Sequence, residues 1–159
     1  MTNRPERHDA GIALDLQRAV ATRGVPPFAA LERAVCAALR GRRERAELTI
    51  RIVGKRESRA LNRRYRDIDR PTNVLSFPAD GVAAVAPDLL GDIVICAPLV
   101  SAEARARGKS PRAHWQHLVV HGVLHLLGYD HVEESDAQSM EDLEREIMAG
   151  LGFGDPYLA

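Results

Sequence analysis

The sequence has little of what would place it in a membrane or an oxidising compartment. It contains two cysteines among 159 residues. Cys36 lies in a helical pattern and Cys96 ends an apolar run, so both are expected to be small core residues of a reduced protein. No apolar run approaches the roughly 20 residues of a membrane span, and the N-terminal residues lack the apolar region of a secretory signal. We therefore expect a cytoplasmic protein without a membrane segment.

The sequence also lacks a net charge, because 22 basic side chains balance 22 acidic ones. Their distribution along the chain is uneven. The range 41–70 holds eleven Lys or Arg against five Asp or Glu, and the range 130–159 holds one Arg against nine acids. This pattern fits a basic patch for an acidic partner, with an acidic C-terminal helix elsewhere. It fits equally two oppositely charged solvated faces that contact each other.

Histidine is concentrated in residues 121–131, which read His-Gly-Val-Leu-His-Leu-Leu-Gly-Tyr-Asp-His. On an α-helix, His121 and His125 would lie on one face, about one turn and about 6 Å apart, where both can hold one ion. Gly128 stands where a helix terminator is expected, so the chain can turn there and bring His131 to the same ion. Three neutral imidazoles with an open fourth position form the arrangement of a catalytic zinc, in which a water molecule takes that position. The competing interpretation is a set of ordinary polar side chains on an amphipathic helix.

The same histidine spacing occurs in metzincin peptidases, but their motif carries glutamate directly after the first histidine. This chain has Gly122 there, so the general base of peptide hydrolysis is missing from its usual place. Three nearby residues have open roles. His114 and His117 lie upstream on the same predicted helix, and His117 is either a group that supports the metal ligands or faces the substrate, or a packed histidine. Asp130 could orient a ligand imidazole, act on a proton, or serve only as a turn residue.

The length and the 45% hydrophobic content are typical of a single globular domain, expected to span residues 1–159. Periodicity and turn residues predict four strands, at 12–16 on a sheet edge, 47–53, 72–77 and 90–96. They predict five helices, between Pro26 and Gly41 and at 57–66, 98–107, 111–127 and 135–151. This order indicates an α+β fold, with a small mixed β-sheet covered by helices and a central metal-binding helix.

A second informative stretch, residues 61–77, is rich in arginine. Arginine presents a planar fork that matches two phosphate oxygens at once. A phosphodiester at a metal centre needs such charge where negative charge grows in the transition state. Spacing alone selects none of these arginines. The helix at 57–66 is expected to turn Ala60, Leu61 and Tyr65 inward and Arg59, Arg63 and Arg64 outward.

Together the two stretches resemble the YbeY family of bacterial endoribonucleases, also called rRNA maturation factors. The stretch 121–131 matches the zinc motif of that family in full. Further segments also look like the family, namely Tyr65-Arg66 with Asp69, the run 71–77 (Pro-Thr-Asn-Val-Leu-Ser-Phe) and the run 91–95 (Gly-Asp-Ile-Val-Ile). The likeness runs from about residue 46 to Tyr157, without departures at the motif positions.

The resemblance implies that His121, His125 and His131 bind one zinc ion and that Arg66 is the important arginine of the active site. It implies an α+β fold with the metal at the base of a cleft lined by basic residues. The implied substrate is single-stranded RNA, in the maturation of the 3′ end of small-subunit ribosomal RNA and in ribosome quality control. The expected partners are therefore RNA, the small ribosomal subunit and ribosome-assembly proteins.

The residues and the resemblance together predict that zinc activates water and polarises a phosphoryl oxygen, while Arg66 holds the scissile phosphate. The basic middle segment would guide the RNA backbone. The attacking group, a metal-bound hydroxide or the RNA 2′-hydroxyl, stays open, as does the general base. Two other functions compete with this one. The metzincin-like spacing fits a metal-dependent hydrolase of a peptide or small molecule, and the basic segment fits an RNA- or ribosome-binding factor with a structural metal.

Overall fold

The computed structural model describes residues 6–7, 11–21, 23–130 and 133–158. Within these ranges the chain forms a five-stranded sheet of β1 Glu6–Arg7, β2 Ile12–Arg18, β3 Ala46–Val53, β4 Val74–Pro78 and β5 Leu89–Cys96, in the order β1-β2-β3-β5-β4. Strands β2, β3 and β5 run parallel, and the outer strands β1 and β4 are antiparallel to their neighbours. The sheet is therefore mixed, as the sequence predicts.

The described helices are α1 Phe28–Leu39, α2 Lys55–Arg66, α3 Ala97–Ala106, α4 Pro111–Leu126 and α5 Glu134–Gly150. Helix α4 is central, since it packs against α1, α3, α5, β4 and β5. The predicted α+β fold and the central position of this helix are confirmed. The described part of the chain contains no helix that is both long and apolar enough to cross a membrane.

Local sequence signals define both ends of α4. Ser110 caps the N-terminus by accepting a hydrogen bond from the backbone N–H of Ala113 at 3.4 Å, and Pro111 occupies the first turn. Gly128 has a φ of +99°, the left-handed conformation that ends a helix. The N–H of Tyr129 then closes the last turn on the carbonyl oxygen of Leu124, at 3.0 Å.

Most of the surface of α4 is buried. The five positions that the sequence predicts to be buried are all buried, namely Trp115, Leu118, Val119, Gly122 and Leu126. The main core lies between this helix and one sheet face. That face carries apolar side chains from the three parallel strands, among them Leu14, Leu16, Ile50, Ile52, Ile93 and Ile95. A smaller cluster, formed by Val53, Leu75, Val94 and Cys96, lies on the opposite sheet face, with Leu61 of α2 packed against it.

Gly122 marks the closest approach of α4 to the sheet. A Cβ atom there would lie 3.0 Å from Cγ2 and 3.1 Å from Cδ1 of Ile93 on β5, tighter than ordinary packing. Gly91 is the matching position on β5, because its φ is +140° and a Cβ would lie 2.2 Å from the carbonyl oxygen of Phe77 and 3.0 Å from Cδ2 of Leu126. The helix therefore rests on the sheet at two positions that exclude side chains.

Two predictions of the sequence are wrong in detail. The strand predicted at 12–16 is not at a sheet edge. It extends to Arg18 as β2 and lies between β1 and β3, because the polar residues Glu6 and Arg7 pair outside it. Apolar patterning does not detect a polar strand of two residues, so the inner position of β2 could not be read from the sequence.

Helix α2 turns only one of the three predicted side chains inward, namely Leu61, which packs against the smaller cluster. Ala60 is exposed and Tyr65 is 56% exposed, whereas the polar side chains of Ser58 and Asn62 are buried. Both polar groups bind the backbone of the following turn. The Ser58 hydroxyl donates to the carbonyl of Thr72 at 2.8 Å, and the Asn62 amide donates to the carbonyl of residue 70 at 2.9 Å. Hydrogen bonds hold the inner face of α2, so apolar periodicity is misleading there. The outward prediction for Arg59, Arg63 and Arg64 is confirmed, since all three are exposed.

Candidate functional site

His121 and His125 lie on the last two turns of α4 and point their rings at each other. Their Nε2 atoms are 3.1 Å apart, and the ring centroids are 4.6 Å apart. Two nitrogens bound to one tetrahedral zinc at 2.0–2.1 Å would be separated by about 3.3 Å. The observed separation thus fits a pair of ligands on a single ion, as the four-residue spacing predicts.

His131, the third predicted ligand, lies outside the described residues. The chain leaves α4 immediately beside His125, because the N–H of Gly128 donates to the carbonyl oxygen of His125 at 3.0 Å. Among the described residues, no group of three or more potential metal-binding side chains forms. Two predicted ligands are therefore brought together, and the complete set of three stays a prediction.

A carboxylate from α5 holds the first of these histidines. Glu144 is fully buried, at 0% exposure, and its Oε1 lies 2.5 Å from Nδ1 of His121. An ionised carboxylate only accepts hydrogen bonds, so Nδ1 of His121 carries a proton and donates a hydrogen bond to Oε1. Nε2, the other ring nitrogen, faces His125. This is how a carboxylate commonly orients a metal-binding histidine.

Other polar groups keep Glu144 ionised despite its burial. Burial alone would raise its pKa, but interactions with His117 and His121 and the hydrogen bond from Tyr157 outweigh burial and lower the pKa from the ordinary 4.5 to about 2. Nε2 of His117 lies 3.4 Å from Oε1, and the Tyr157 hydroxyl donates to Oε2. Burial and the nearby carboxylate raise the pKa of Tyr157, which keeps its hydroxyl protonated. The negative charge of Glu144 favours a cation beside the histidine pair.

Sequence reasoning missed both Glu144 and Tyr157. Glu144 had a detectable signal, because it stands four residues from Met140 and from Met148, in the buried stripe of α5. A charged residue in such a stripe is buried with a partner or serves a site. Tyr157 carried no comparable signal, since no helical or strand period places it.

The upstream histidines have different surroundings. His117 is beside the predicted ligands, in contact with Glu144 and edge-on to the Tyr157 ring at a centroid distance of 5.3 Å. His114 is buried farther along α4, with Nε2 3.4 Å from Glu103 of α3. Burial lowers the pKa of His114, against the opposing effect of that carboxylate. We interpret His114 as a packed residue that links α3 to α4.

Arg66 is the last residue of α2 and is exposed. Within the described part of the chain it forms no ion pair, whereas Arg59 pairs with Asp69 at 2.8 Å.

The residue before Arg66, Tyr65, shows which face of the sheet α2 packs on. The ring of Tyr65 packs edge-on against Phe77 of β4, at 5.1 Å between centroids. Adjacent residues of a strand point to opposite faces.

Ser76, the residue before Phe77 on β4, points to the opposite face of the sheet and contacts α4. Its hydroxyl donates a hydrogen bond to the carbonyl oxygen of Gly122 on α4, at 3.1 Å. Arg66 and the histidine pair therefore belong to helices that pack on opposite faces of one edge strand. The sequence predicts both groups and the strand at 72–77, but not that this strand lies between the two helices.

An open trough lies on the face of the sheet that α2 partly covers. Its volume is about 520 Å³, and its lining includes the rings of Tyr65 and Phe77, the carboxylate of Asp92 and the ion pair of Arg51 with Glu57. The Arg51 guanidinium binds both carboxylate oxygens of Glu57, at 2.6 and 2.9 Å. The trough thus combines exposed aromatic surface with polar groups beside the arginine-rich helix.

One of the two interpretations of the uneven charge is a pair of solvated faces that contact each other, and the described ion pairs give it no support. Among the ion pairs of the described residues, none joins the range 41–70 to the range 130–159. The arginine of the acidic range, Arg145, pairs with Asp142 and Asp155 of its own segment. In the described part of the chain, the exposed arginines of α2 thus form no ion pair with the acids of α5.

Comparison with known proteins agrees with this architecture. A family model described as Endoribonuclease YbeY matches residues 28–152. Two proteins from Stenotrophomonas maltophilia, strains R551-3 and K279a, are named Endoribonuclease YbeY. Each is 52% identical over 161 residues, covering 99% of this chain and 98% of the relative.

The solution structure of TM1509 from Thermotoga maritima superposes with a TM-score of 0.57 at 23% identity, covering 93% of this chain and 99% of that one. This likeness supports the α+β fold. The chain belongs to the endoribonuclease YbeY family.

Proposed function

We propose that this protein is a zinc-dependent endoribonuclease that cleaves single-stranded RNA, with His121, His125 and His131 as metal ligands and Arg66 as the group that binds the scissile phosphate. The observation that carries the proposal is the 3.1 Å approach of the two Nε2 atoms on α4, together with the bond from Nδ1 of His121 to Glu144. The relatives named as endoribonucleases support the reaction class.

Glu144 and Arg66 have separate roles in the proposed reaction. Glu144 keeps the proton on Nδ1 of His121 and so leaves Nε2 able to bind a metal. When bound, zinc supplies a Lewis acid that polarises a phosphoryl oxygen and lowers the pKa of coordinated water. The guanidinium of Arg66 binds two phosphate oxygens and stabilises the charge that grows on them. The identity of the product ends, cyclic phosphate or not, distinguishes attack by the RNA 2′-hydroxyl from attack by water.

Helix α2 also supplies a surface for single-stranded RNA. The exposed guanidinium groups at its C-terminal end, Arg63, Arg64 and Arg66, attract the phosphate backbone, which predicts binding that weakens as salt rises. Tyr65, 56% exposed, offers a ring on which an unpaired base can stack. A base within a duplex presents no free face for such stacking, so this feature favours single strands.

In the cell, we propose a cytoplasmic role in maturing the 3′ end of small-subunit ribosomal RNA and in ribosome quality control, through contact with the small subunit and assembly proteins. The family membership supports this role. Depletion should leave small-subunit RNA with unprocessed 3′ ends, and the tagged protein should sediment with small subunits. Normal 3′ ends in depleted cells would contradict the proposed role without affecting the chemistry.

The first experiment measures cleavage of a labelled single-stranded RNA by the wild type, His125→Ala and Arg66→Ala, with chelator and zinc add-back. Arg56→Ala is the matched control, because Arg56 is an exposed arginine at the other end of α2. We expect chelator and His125→Ala to abolish cleavage, Arg66→Ala to slow it by about 100-fold, and the control to retain it. Equal cleavage by all proteins would identify a contaminant and refute the proposal.

The runner-up function is an RNA-binding factor with a structural metal, which the exposed arginines support equally well. Binding of RNA by all variants without any turnover would establish it in place of the enzyme. A peptidase is disfavoured by Gly122, because this position lacks the glutamate that peptidases of this spacing require, and a side chain there would press against Ile93.

A further inference from the structure

We infer that the C-terminal segment 155–157 is a built part of the metal centre, in which Tyr157 acts through Glu144 to position His121. Docking of this segment and binding of the metal are therefore coupled. The inference deepens the proposed function, since it rests on zinc binding at the histidine pair. Tyr157 is a positioning residue in this scheme and touches neither substrate nor the ligand nitrogens.

The two oxygens of Glu144 have separate partners. Oε1 faces Nδ1 of His121 at 2.5 Å, and Oε2 accepts the hydrogen bond of the Tyr157 hydroxyl. A carboxylate held at one oxygen can still rotate about its last side-chain bond, whereas one held at both cannot. The hydroxyl of Tyr157 thus fixes the plane of the carboxylate, and the carboxylate fixes the ring of His121.

Polar contacts hold the segment in place. Arg145 of α5 donates from Nε to Asp155 at 3.0 Å, and its guanidinium lies 5.0 Å from the centre of the Tyr157 ring. Asp155 also accepts from the backbone N–H of Tyr157 at 2.8 Å, and Lys109 donates to the carbonyl of Pro156. Tyr157 remains 39% exposed. A segment held by few and partly exposed contacts opens more readily than the core, so extra stabilisation by metal becomes measurable there.

Coupling between the two events must be reciprocal. If the docked Tyr157 raises the affinity of the site for zinc by some factor, zinc raises the stability of the docked segment by the same factor. A tyrosine that served only as packing would show neither effect when its hydroxyl alone is removed. Tyr157→Phe makes this distinction, because it keeps the ring that contacts His117 and Arg145 and removes only the donor to Glu144.

The test measures zinc affinity by competition with a chromogenic chelator for the full-length wild type, Tyr157→Phe and Leu158→Ala. Leu158 is the neighbouring exposed residue and serves as the control. Loss of a group that orients a metal ligand weakens metal binding by about 10- to 100-fold. We expect about tenfold for Tyr157→Phe and no change for Leu158→Ala. Unfolding of the zinc-free proteins checks that both variants are folded.

A second readout follows hydrogen exchange of the backbone amides at 157–158. Zinc should slow this exchange in the wild type by about the same factor, and should not slow it in Tyr157→Phe. Equal zinc affinity of the wild type and Tyr157→Phe, with exchange unaffected by zinc, would overturn the inference. Wild type that binds zinc without cleaving RNA would refute the proposed enzyme and leave the inference intact. Wild type that binds no zinc would refute both.

Discussion

Replacement of Glu144 by glutamine tests whether the buried charge stabilises the protein itself. The side chain keeps its shape and an oxygen for His121, but loses its ionisation. The lowering of the pKa from 4.5 to about 2 means that the folded protein favours the carboxylate over the neutral acid by about 3 kcal/mol. We therefore expect Glu144→Gln to reduce the free energy of unfolding of the zinc-free protein by up to about 3 kcal/mol at pH 7.

The effect should depend on pH with a definite sign. Because the folded-state pKa is depressed, the stabilisation is fully present above about pH 5 and is lost as the pH falls from 4.5 towards about 2. Glutamine does not titrate. The stability difference between the wild type and Glu144→Gln should therefore shrink across that window, even though both proteins lose stability in acid for other reasons.

Urea unfolding in the presence of chelator measures this difference at several pH values between 7 and 3. Glu141→Gln is the control on the same helix, since Glu141 is partly exposed and lies 3.8 Å from its partner Arg145. An exposed substitution of this kind changes stability by about 0.5 kcal/mol or less. A Glu144→Gln protein as stable as the control at pH 7, or a difference that does not change with pH, would refute the argument from the buried charge.

The remaining predictions concern the helix contacts and the RNA surface. Gly91→Ala should destabilise the protein by about 3 kcal/mol or more, since both φ and the contact with the Phe77 carbonyl oppose it, and thermal unfolding measures the loss. Gly122→Glu should yield a less stable protein without peptidase activity, as a casein digest would show, and a stable, peptide-cleaving variant would contradict this. Tyr65→Ala should weaken binding of a non-cleavable RNA analogue by about 1–3 kcal/mol while zinc affinity stays unchanged. The wild type should bind that RNA less tightly as salt rises, and a flat salt response would exclude phosphate contacts by α2.

Local rules account for what the sequence predicts well. The convergence of His121 and His125 follows from the helical period alone, and the end of α4 at Gly128 follows from a residue that tolerates the left-handed conformation. The buried side of α4, including Trp115, follows from the same period. These features need no knowledge of what the helix packs against.

Features that depend on distant parts of the chain were missed. The bond between His121 and Glu144 joins residues 23 apart, and no periodicity connects two separate helices. Helix α2 departs from the prediction because Ser58 and Asn62 face inward to bind backbone groups of the turn, while Tyr65, which the apolar pattern places inward, is exposed. Partnered polar side chains can thus replace apolar ones at an interface.

The two side-chain-free contacts beneath α4 have a consequence for how variants of this protein would be classified. Gly91 and Gly122 have no side chain that could bind a metal, yet they set the distance between α4 and β5 and therefore the place where two imidazoles meet. A mutation at either position would displace the histidines as a unit and leave their chemistry intact. In a genetic screen, such variants would have the same phenotype as variants that lack a metal-binding histidine. Only a structure would show that the defect lies in the contact between α4 and β5.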